Sequence, residues 1–379
     1  MTWRRTLIVL TAGLLVIPVA WSGHEQSVYP SYYPHEIEIA TVAPTPAEER
    51  LRSGKLHAYV GRALSSITAP PADAVGAVSS LGAYVVIKLN PNSALAKDEA
   101  SACSAIAAIA RTIGARGGEL VFHPYPVTPF HGDYLNHADR AEAARQKLAT
   151  APPPQHRPAV RAGSAGARRL VPADWLAGGR HWDAAVEEVS IRDLIASATY
   201  TLNGWTGPRW TRSGWFHAYQ LLAQEVVDAD VRERVRMQLE RLQAGDYADA
   251  AERVNLERDL VAALTTGCRV IVAGYTVNHE YFNRGFSTGV ENIGFDALEG
   301  LRSPMFLRTV KLKDFPWNGW LQLGLEGAPT AAWNPIGGFT DDFGRLMWFA
   351  VGDLALLPSP YESAWMLNRI SEVEQTPGR

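Results

Sequence analysis

Cysteine is almost absent: Cys103 and Cys268 are the only two in 379 residues. No CxxC pair, CxxCH haem attachment or zinc-finger spacing can be built from them. An excess of positive charge is missing as well. Lys and Arg total 36 against 39 Asp and Glu, for a net charge of −3. That balance speaks against nucleic acid as a partner, since no basic face is announced. No P-loop and no glycine-rich dinucleotide fingerprint follows any predicted strand. HExxH is missing too, because His279-Glu280 is followed by Asn283 where the second histidine would stand. Long apolar runs are scarce beyond the first residues. CRVIVAGYTV, from Cys268, and LMWFAVGDLALL, from Leu346, fall short of the roughly 17 residues needed to span a bilayer. The second also carries Asp353.

One apolar run is present, at the start. Arg4 and Arg5 precede TLIVLTAGLLVIPVAW, from Thr6 to Trp21. Two cations before an apolar core form the layout of a secretory signal, and Ala20 and Ser22 offer a small-x-small step before Gly23. Residues 1–22 are therefore expected to be a cleaved signal peptide, or an anchor holding residues 6–21 in the membrane with the body on the periplasmic side. In an oxidising compartment Cys103 and Cys268 can form a disulfide or stay as two buried thiols.

The length beyond residue 22 suggests two domains. IEIATV, from Ile37, KLHAYV, from Lys55, AYVVIKL, from Ala83, and ELVFH, from Glu119, read as strands. AYVVIKL is almost wholly apolar, as a strand covered on both faces would be. Thr45-Pro46-Ala47-Glu48 opens a short helix stopped by Gly54. After Asp98, the spacing of Ala102, Ile106, Ile109, Ala110 and Ile113 predicts a helix ended by Gly117-Gly118, and another is expected from His137 to Leu148. Strands alternating with helices indicate an α/β layer domain over 23–149. TAPPPQHRPAVRAGSAGARRLVP, over 150–172, reads as a Pro/Arg/Gly linker, solvated or touching anionic lipid through Arg157, Arg161, Arg168 and Arg169.

A second domain of mixed α+β type is expected over 173–379. It begins with a capping box at Ser190 and Asp193. A helical hairpin follows, with Val231, Val235, Leu239 and Leu242 facing Val254, Leu260, Val261 and Leu264 across Gly245-Asp246. Asp228, Asp230 and Asp249 stand four residues before Arg232, Arg234 and Arg253 as outside pairs. CRVIVAGYTV and FLRTVKLK read as strands. FPWNGWLQLGL, AWNPIGGF and LPSPYESAW then form a Trp/Gly/Pro-rich region of fixed turns. The chain holds 12 tryptophans, mostly in its second half, which supply either a core of large rings or a stacking surface for a flat ligand.

The densest cluster of chemistry is HPYPVTPFHGDYLNHAD. It places His123, His131, Asp133, His137 and Asp139 in one stretch, with His123 at a strand end, where open α/β sheets bind ligands. His123, His131, Asp133 and His137 are the candidate ligands of zinc or copper, against a reading in which they cap the next helix and pack under the loop. His57, on the second strand, either joins them or is an exposed strand residue. Gly285-Phe286-Ser287-Thr288-Gly289 matches GxSxG formally. NHEYFNR is no apolar strand leading into an elbow, however, and no histidine follows His279 to complete the hydrolase order. Asp341-Asp342 reads as a solvated turn rather than a calcium site or an acid/base pair.

No family motif identifies the chain. Its strand–helix–strand opening, with the GKLHAYVG step, resembles the lobes of periplasmic solute-binding proteins in layout, and no functional residue is carried across. The expectation is an exported binding or accessory protein, periplasmic or tethered to the inner membrane, taking a small-molecule ligand or a membrane-protein partner. A metal-dependent enzyme built on the His/Asp cluster and a structural subunit of a membrane complex are the alternatives.

Overall fold

A computed structural model describes residues 34–371, except 35, 62–63, 65–73, 119, 199–207, 315–318, 331–340, 352–353, 361, 363 and 369–370. The expected signal or anchor segment lies outside the described residues, as does AWNPIGGF. From residue 33 onward the chain forms one unit.

Among the described residues its frame is an eight-stranded mixed sheet. In chain order the strands are β1 (Glu36–Thr41), β2 (Ala58–Val60), β3 (Val75–Leu89), β4 (Leu120–Phe122), β5 (Val160–Ala162), β6 (Ala184–Ser190), β7 (Val270–Asn283) and β10 (Trp320–Leu325). They lie in the order β1-β10-β2-β7-β3-β6-β5, and β4 also pairs with β7. Two short strand pairs stand apart: β8 (Val290–Glu291) with β9 (Lys311–Leu312), and β11 (Leu356–Pro358) with β12 (Trp365–Leu367).

β7 is the seam. β3 runs antiparallel along one edge, from Val75 opposite Asn283 to Lys88 opposite Val270. β2 and β4 share the other edge, with Tyr59 opposite Tyr281 and Val121 opposite Tyr275. The segments expected as two separate domains therefore share one sheet. β3 of the first joins β6 and β7 of the second. The supposed linker is part of the body too. Val160–Ala162 pairs in parallel with β6, and Ser164 caps the helix Ala165–Leu170 by accepting from the Ala167 amide at 2.9 Å. Its arginines find partners there: Arg157 pairs with Asp174, and Arg161 stacks 4.0 Å over Trp182. Proline and glycine mark an irregular edge here rather than a free tether.

The alternation of β3 builds a layer on each face. Tyr84 and Val86 join one core with Trp215, Leu239, Leu260 and Val261, from helices Gly214–Leu222, Ala229–Ala244 and Ala250–Leu264. Val85, Ile87 and Leu89 join the other with Ile106, Ile109 and Ile113, from helix Glu99–Ala115. Burying apolar side chains this large contributes about 1.5–3 kcal/mol each. That is why the second half of β3, Ala83–Leu89, carries one charged residue, Lys88, as expected of a strand covered on both faces. A third core joins β1, β2 and β10 to Leu301, Phe306 and Leu346.

Local signals act where they are local. Asp98 caps helix Glu99–Ala115 by accepting from the Ser101 amide at 2.8 Å. Gly245, at φ 71°, closes helix Ala229–Ala244 and turns the chain into its antiparallel partner. Other expectations are corrected. The helix Pro44–Arg52 has Ala43 at its N-cap with no side-chain bond, so Thr45 lies inside it. FLRTVKLK divides into helix Pro304–Thr309 and the two-residue β9, because Ser303 caps it and Pro304 suits the first turn. On the helical hairpin, Arg232 donates to the Val226 carbonyl, and Arg253 pairs with Glu257 at 2.8 Å while Asp249 caps.

Cys103 and Cys268 are joined, with Cα atoms 4.9 Å apart, across 165 residues of sequence. The bridge ties helix Glu99–Ala115 to the residues leading into β7. Among the described residues no helix is long and apolar enough to cross a membrane.

Candidate functional site

The His123–His137 loop leaves the end of β4 and packs on the start of helix Gly214–Leu222. Asp133 makes that junction. Its Oδ1 accepts from the Gly214 amide at 2.9 Å and its Oδ2 from the Trp215 amide at 3.1 Å. Both carboxylate oxygens thereby serve two of the helix's orphan donors.

His131 lies at the centre of a buried chain of hydrogen bonds. The Thr128 amide donates to its Nδ1 at 3.0 Å. That lone pair puts the ring proton on Nε2, which faces His217 Nδ1 at 2.9 Å and the Tyr84 hydroxyl oxygen at 3.2 Å. His217 Nε2 in turn donates to the Thr211 carbonyl at 3.0 Å, and the Tyr84 hydroxyl donates to the Pro126 carbonyl at 2.9 Å. His131 is 4% exposed, and His217 and Tyr84 are fully buried. Burial, first of all, holds both rings in the neutral form. It lowers the His131 pKa to about 4 and that of His217 well below the ordinary value.

The four candidate metal ligands do not assemble as ligands. Asp133 is committed to amides. His123 Nε2 donates to the Val127 carbonyl at 2.9 Å. His137 Nδ1 meets the Tyr125 hydroxyl at 3.1 Å. Among the described residues no group of three or more His, Cys, Asp or Glu side chains is placed to hold a metal ion. The zinc or copper centre is corrected accordingly: the cluster anchors a helix and fastens a loop. His57 is not an exposed strand residue either. It is 7% exposed, and its Nδ1 accepts from the Gln322 amide at 2.9 Å. GFSTG forms a turn between β7 and β8, not the strand-to-helix step of a nucleophile elbow. Asp341 accepts from the Gly344 amide at 3.0 Å at the start of helix Asp342–Val351.

The loop, the start of helix Gly214–Leu222 and the helical hairpin line a half-open pocket of about 520 Å³. Trp210, Trp215, Tyr247, Asp133, Arg253 and Glu257 are among its lining residues. The rings of Trp210 and Trp215 lie 6.1 Å apart, and Trp210 meets Phe216 edge-on at 4.7 Å. Some tryptophans thus fill the core while Trp210 and Trp215 also face a hollow. Trp320, at 65% exposed, stands on the surface. A second cavity of about 420 Å³ is mostly apolar and includes both bridged cysteines, with Arg140 and Lys147 on its wall.

His217, Tyr84, Trp210 and Glu257 were not singled out by the sequence. For His217 a signal existed: it is the lone imidazole in the largely apolar run GWFHAYQLL. For Glu257 it was the four-residue spacing from Arg253.

No family model and no curated protein matches the chain. Among solved structures it is similar to HbpA2 from Haemophilus parasuis, at 12% identity and a TM-score of 0.44, over 71% of this chain and 56% of that one. It is also similar to the periplasmic binding protein DppA from Helicobacter pylori in complex with peptide STSA, at 12% identity and a TM-score of 0.40, over 72% and 55%. The oligopeptide-binding protein AppA from Bacillus subtilis in complex with a nonapeptide gives 13% identity and a TM-score of 0.38, over 71% and 58%. The chain spans less than two thirds of the length of each of these proteins.

Proposed function

We propose that this chain is an exported binding protein that works on the periplasmic side of the membrane and takes a small solute in the Trp210/Trp215 cavity. The cavity carries the reading. At about 520 Å³ it has the size of a small-molecule site, and its mainly polar lining sets Asp133, Arg253 and Glu257 beside Trp210 and Tyr247. Hydrogen bonds tie its walls together: Asp133 holds the helix bearing Trp215, and the His131–His217 bond holds the loop to that helix. A preformed site spends little binding energy on ordering itself.

Export is supported by the cationic-then-apolar start of the chain and by the Cys103–Cys268 bridge, a bond that persists in oxidising compartments. The peptides bound by DppA and AppA belong to those proteins. The solute class of this chain is argued from its own residues.

Two measurements test the proposal. A reporter enzyme that is active only outside the cytosol, fused after Leu51, is expected to be active. Activity of a cytosol-only reporter at the same junction would overturn export. In a melting screen of the purified chain, a matching solute is expected to raise Tm in proportion to the logarithm of its concentration. Trp210→Ala is expected to abolish that rise. A rise unchanged by Trp210→Ala would remove the cavity as the site.

A further inference from the structure

The pocket of about 420 Å³ beside the Cys103–Cys268 bridge shares no described lining residue with the Trp210/Trp215 pocket. One wall is a single face of helix Ala138–Thr150: Arg140, Ala143, Ala144, Lys147 and Leu148 recur at steps of three and four residues. Two alanines between two long cations leave room there. The other walls include half-buried Ala262, Ile271 and the two bridged cysteines, so apolar surface stays open to an entering molecule. The hydroxyls of the lining are already engaged. Thr265 donates to the Val261 carbonyl at 2.8 Å, Thr266 to the Ala262 carbonyl at 2.9 Å, and Tyr125 meets His137 Nδ1 at 3.1 Å. The described lining holds no carboxylate. Asp139 and Glu142, on the same helix, are taken by Arg258 at 2.7 Å and Arg145 at 2.8 Å. Arg140, half-buried, and Lys147, exposed, form no ion pair among the described residues. Burial raises the Tyr125 pKa, and the Arg140 charge is the largest influence against that rise, which sets the guanidinium near this wall.

We infer that this pocket binds an amphiphilic carboxylate, a single carboxylate group on an apolar tail, with the carboxylate at Arg140 and the tail between helix Ala138–Thr150 and the sulfur bridge. This is a second site, independent of the solute proposed above. Charge sets the sign: two cations with no acidic group in the lining hold an anion and repel an ammonium. Geometry sets the head group. The guanidinium fork of Arg140 matches both oxygens of a carboxylate, while the Lys147 ammonium acts as a mobile point charge. The engaged hydroxyls set the body. They leave a polar tail little to bond, so a sugar would give up water without replacement. An apolar tail gains by leaving water, and half-buried Leu148 and Ile271 are covered with it.

The test titrates the full mature chain by calorimetry with hexanoate, octanoate, decanoate, octanol and octylamine, each below the concentration at which it forms micelles. Affinity is expected to tighten by roughly four-fold per CH₂ from hexanoate to decanoate. Octanoate should bind about ten-fold or more tightly than octanol, and octylamine more weakly than either. Arg140→Gln should bring octanoate down to the octanol level and leave octanol unchanged. Ala143→Trp, at an exposed lining position, should weaken both. The inference is overturned if no alkanoate binds, if octylamine binds as tightly as octanoate, or if the octanoate preference survives Arg140→Gln. Octanol reports on the apolar walls of the same variant, so a misfolded Arg140→Gln protein loses both ligands and is told apart from a lost partner. Arg140→Lys, which keeps the charge and loses the fork, then decides: an intermediate preference is expected, and an undiminished one overturns the assignment. Trp210→Ala is expected to leave octanoate binding intact. A loss there would put the ligand in the other pocket and remove this site, without touching the proposal made for that one.

Discussion

His131 Nε2 and His217 Nδ1 stand 2.9 Å apart in the interior, one ring donating to the other, with no charge to share between them. The Thr128 amide at one end and the Thr211 carbonyl at the other determine which nitrogen carries each proton. Protonating either ring turns an acceptor into a second donor and breaks the chain of bonds.

That arrangement predicts acid sensitivity. Both histidines have folded pKa values below the unfolded value, so the unfolded chain takes up protons first as pH falls. The stability they hold is fully present above about pH 6.5, the unfolded pKa. It is lost as pH falls from there toward about 4, where His131 titrates in the folded state. Melting temperatures across that window should drop steeply for the native chain and less steeply for His217→Gln. Parallel curves for the two would show that the pair does not govern the slope.

Asp133→Ala should cost about 2 kcal/mol, since two amides at the start of helix Gly214–Leu222 lose their acceptor. Urea denaturation would measure it. Asp133→Asn, which keeps one acceptor oxygen, should recover part of the loss. A metal-ligand role would instead make chelators lower the Tm of the native chain, and no such effect is expected.

Reducing the Cys103–Cys268 bond frees a loop of 165 residues in the unfolded chain. The expected loss lies between about 2 and about 5 kcal/mol. Denaturation midpoints with and without reductant, alongside Cys103→Ser, give the figure. A midpoint shift near zero would mean that the unfolded ensemble is already constrained there.

Glu257 should behave oppositely to an ordinary stabilising carboxylate. Burial, first of all, pushes its pKa up to about 7, with the Asp133 charge adding to the shift and Arg253 opposing it. A raised carboxyl pKa means that ionisation is harder in the folded state, so its cost grows as pH rises from about 4.5 to about 7. Glu257→Gln is therefore expected to raise stability at pH 8, by up to about 3 kcal/mol, and to change little at pH 4. Destabilisation at pH 8 would indicate that the Arg253 pair outweighs the burial.

Gly274→Ala should destabilise by roughly 1–3 kcal/mol. A Cβ there would run into the Val121 carbonyl oxygen and approach Leu120 Cδ1 at 3.0 Å, where β4 lies against β7. Hydrogen exchange should show β4 opening first.

How much of this was legible depended on distance along the chain. The cap at Asp98, the turn at Gly245 and the two-sided burial of AYVVIKL are written within a few residues, and each was readable. Pairings such as Val85 with Gly274, or His131 with His217, join segments whose composition gives no hint of the other. The sheet's unity was hidden for that reason, and a proline- and arginine-rich stretch passed for a tether although it carries an edge strand. The His/Asp loop was found as a cluster. Its chemistry was misjudged because a carboxylate that caps a distant helix looks, in sequence, like one that is free to bind.

β7 has a consequence for how the molecule is made. Until Val270–Asn283 has been synthesised, β3, β2 and β4 have no common neighbour to close upon. Ribosome-bound intermediates ending earlier therefore hold exposed edges and cannot lock. A polypeptide kept open until so late would stay narrow enough to be threaded through a pore, which the export proposed above would require.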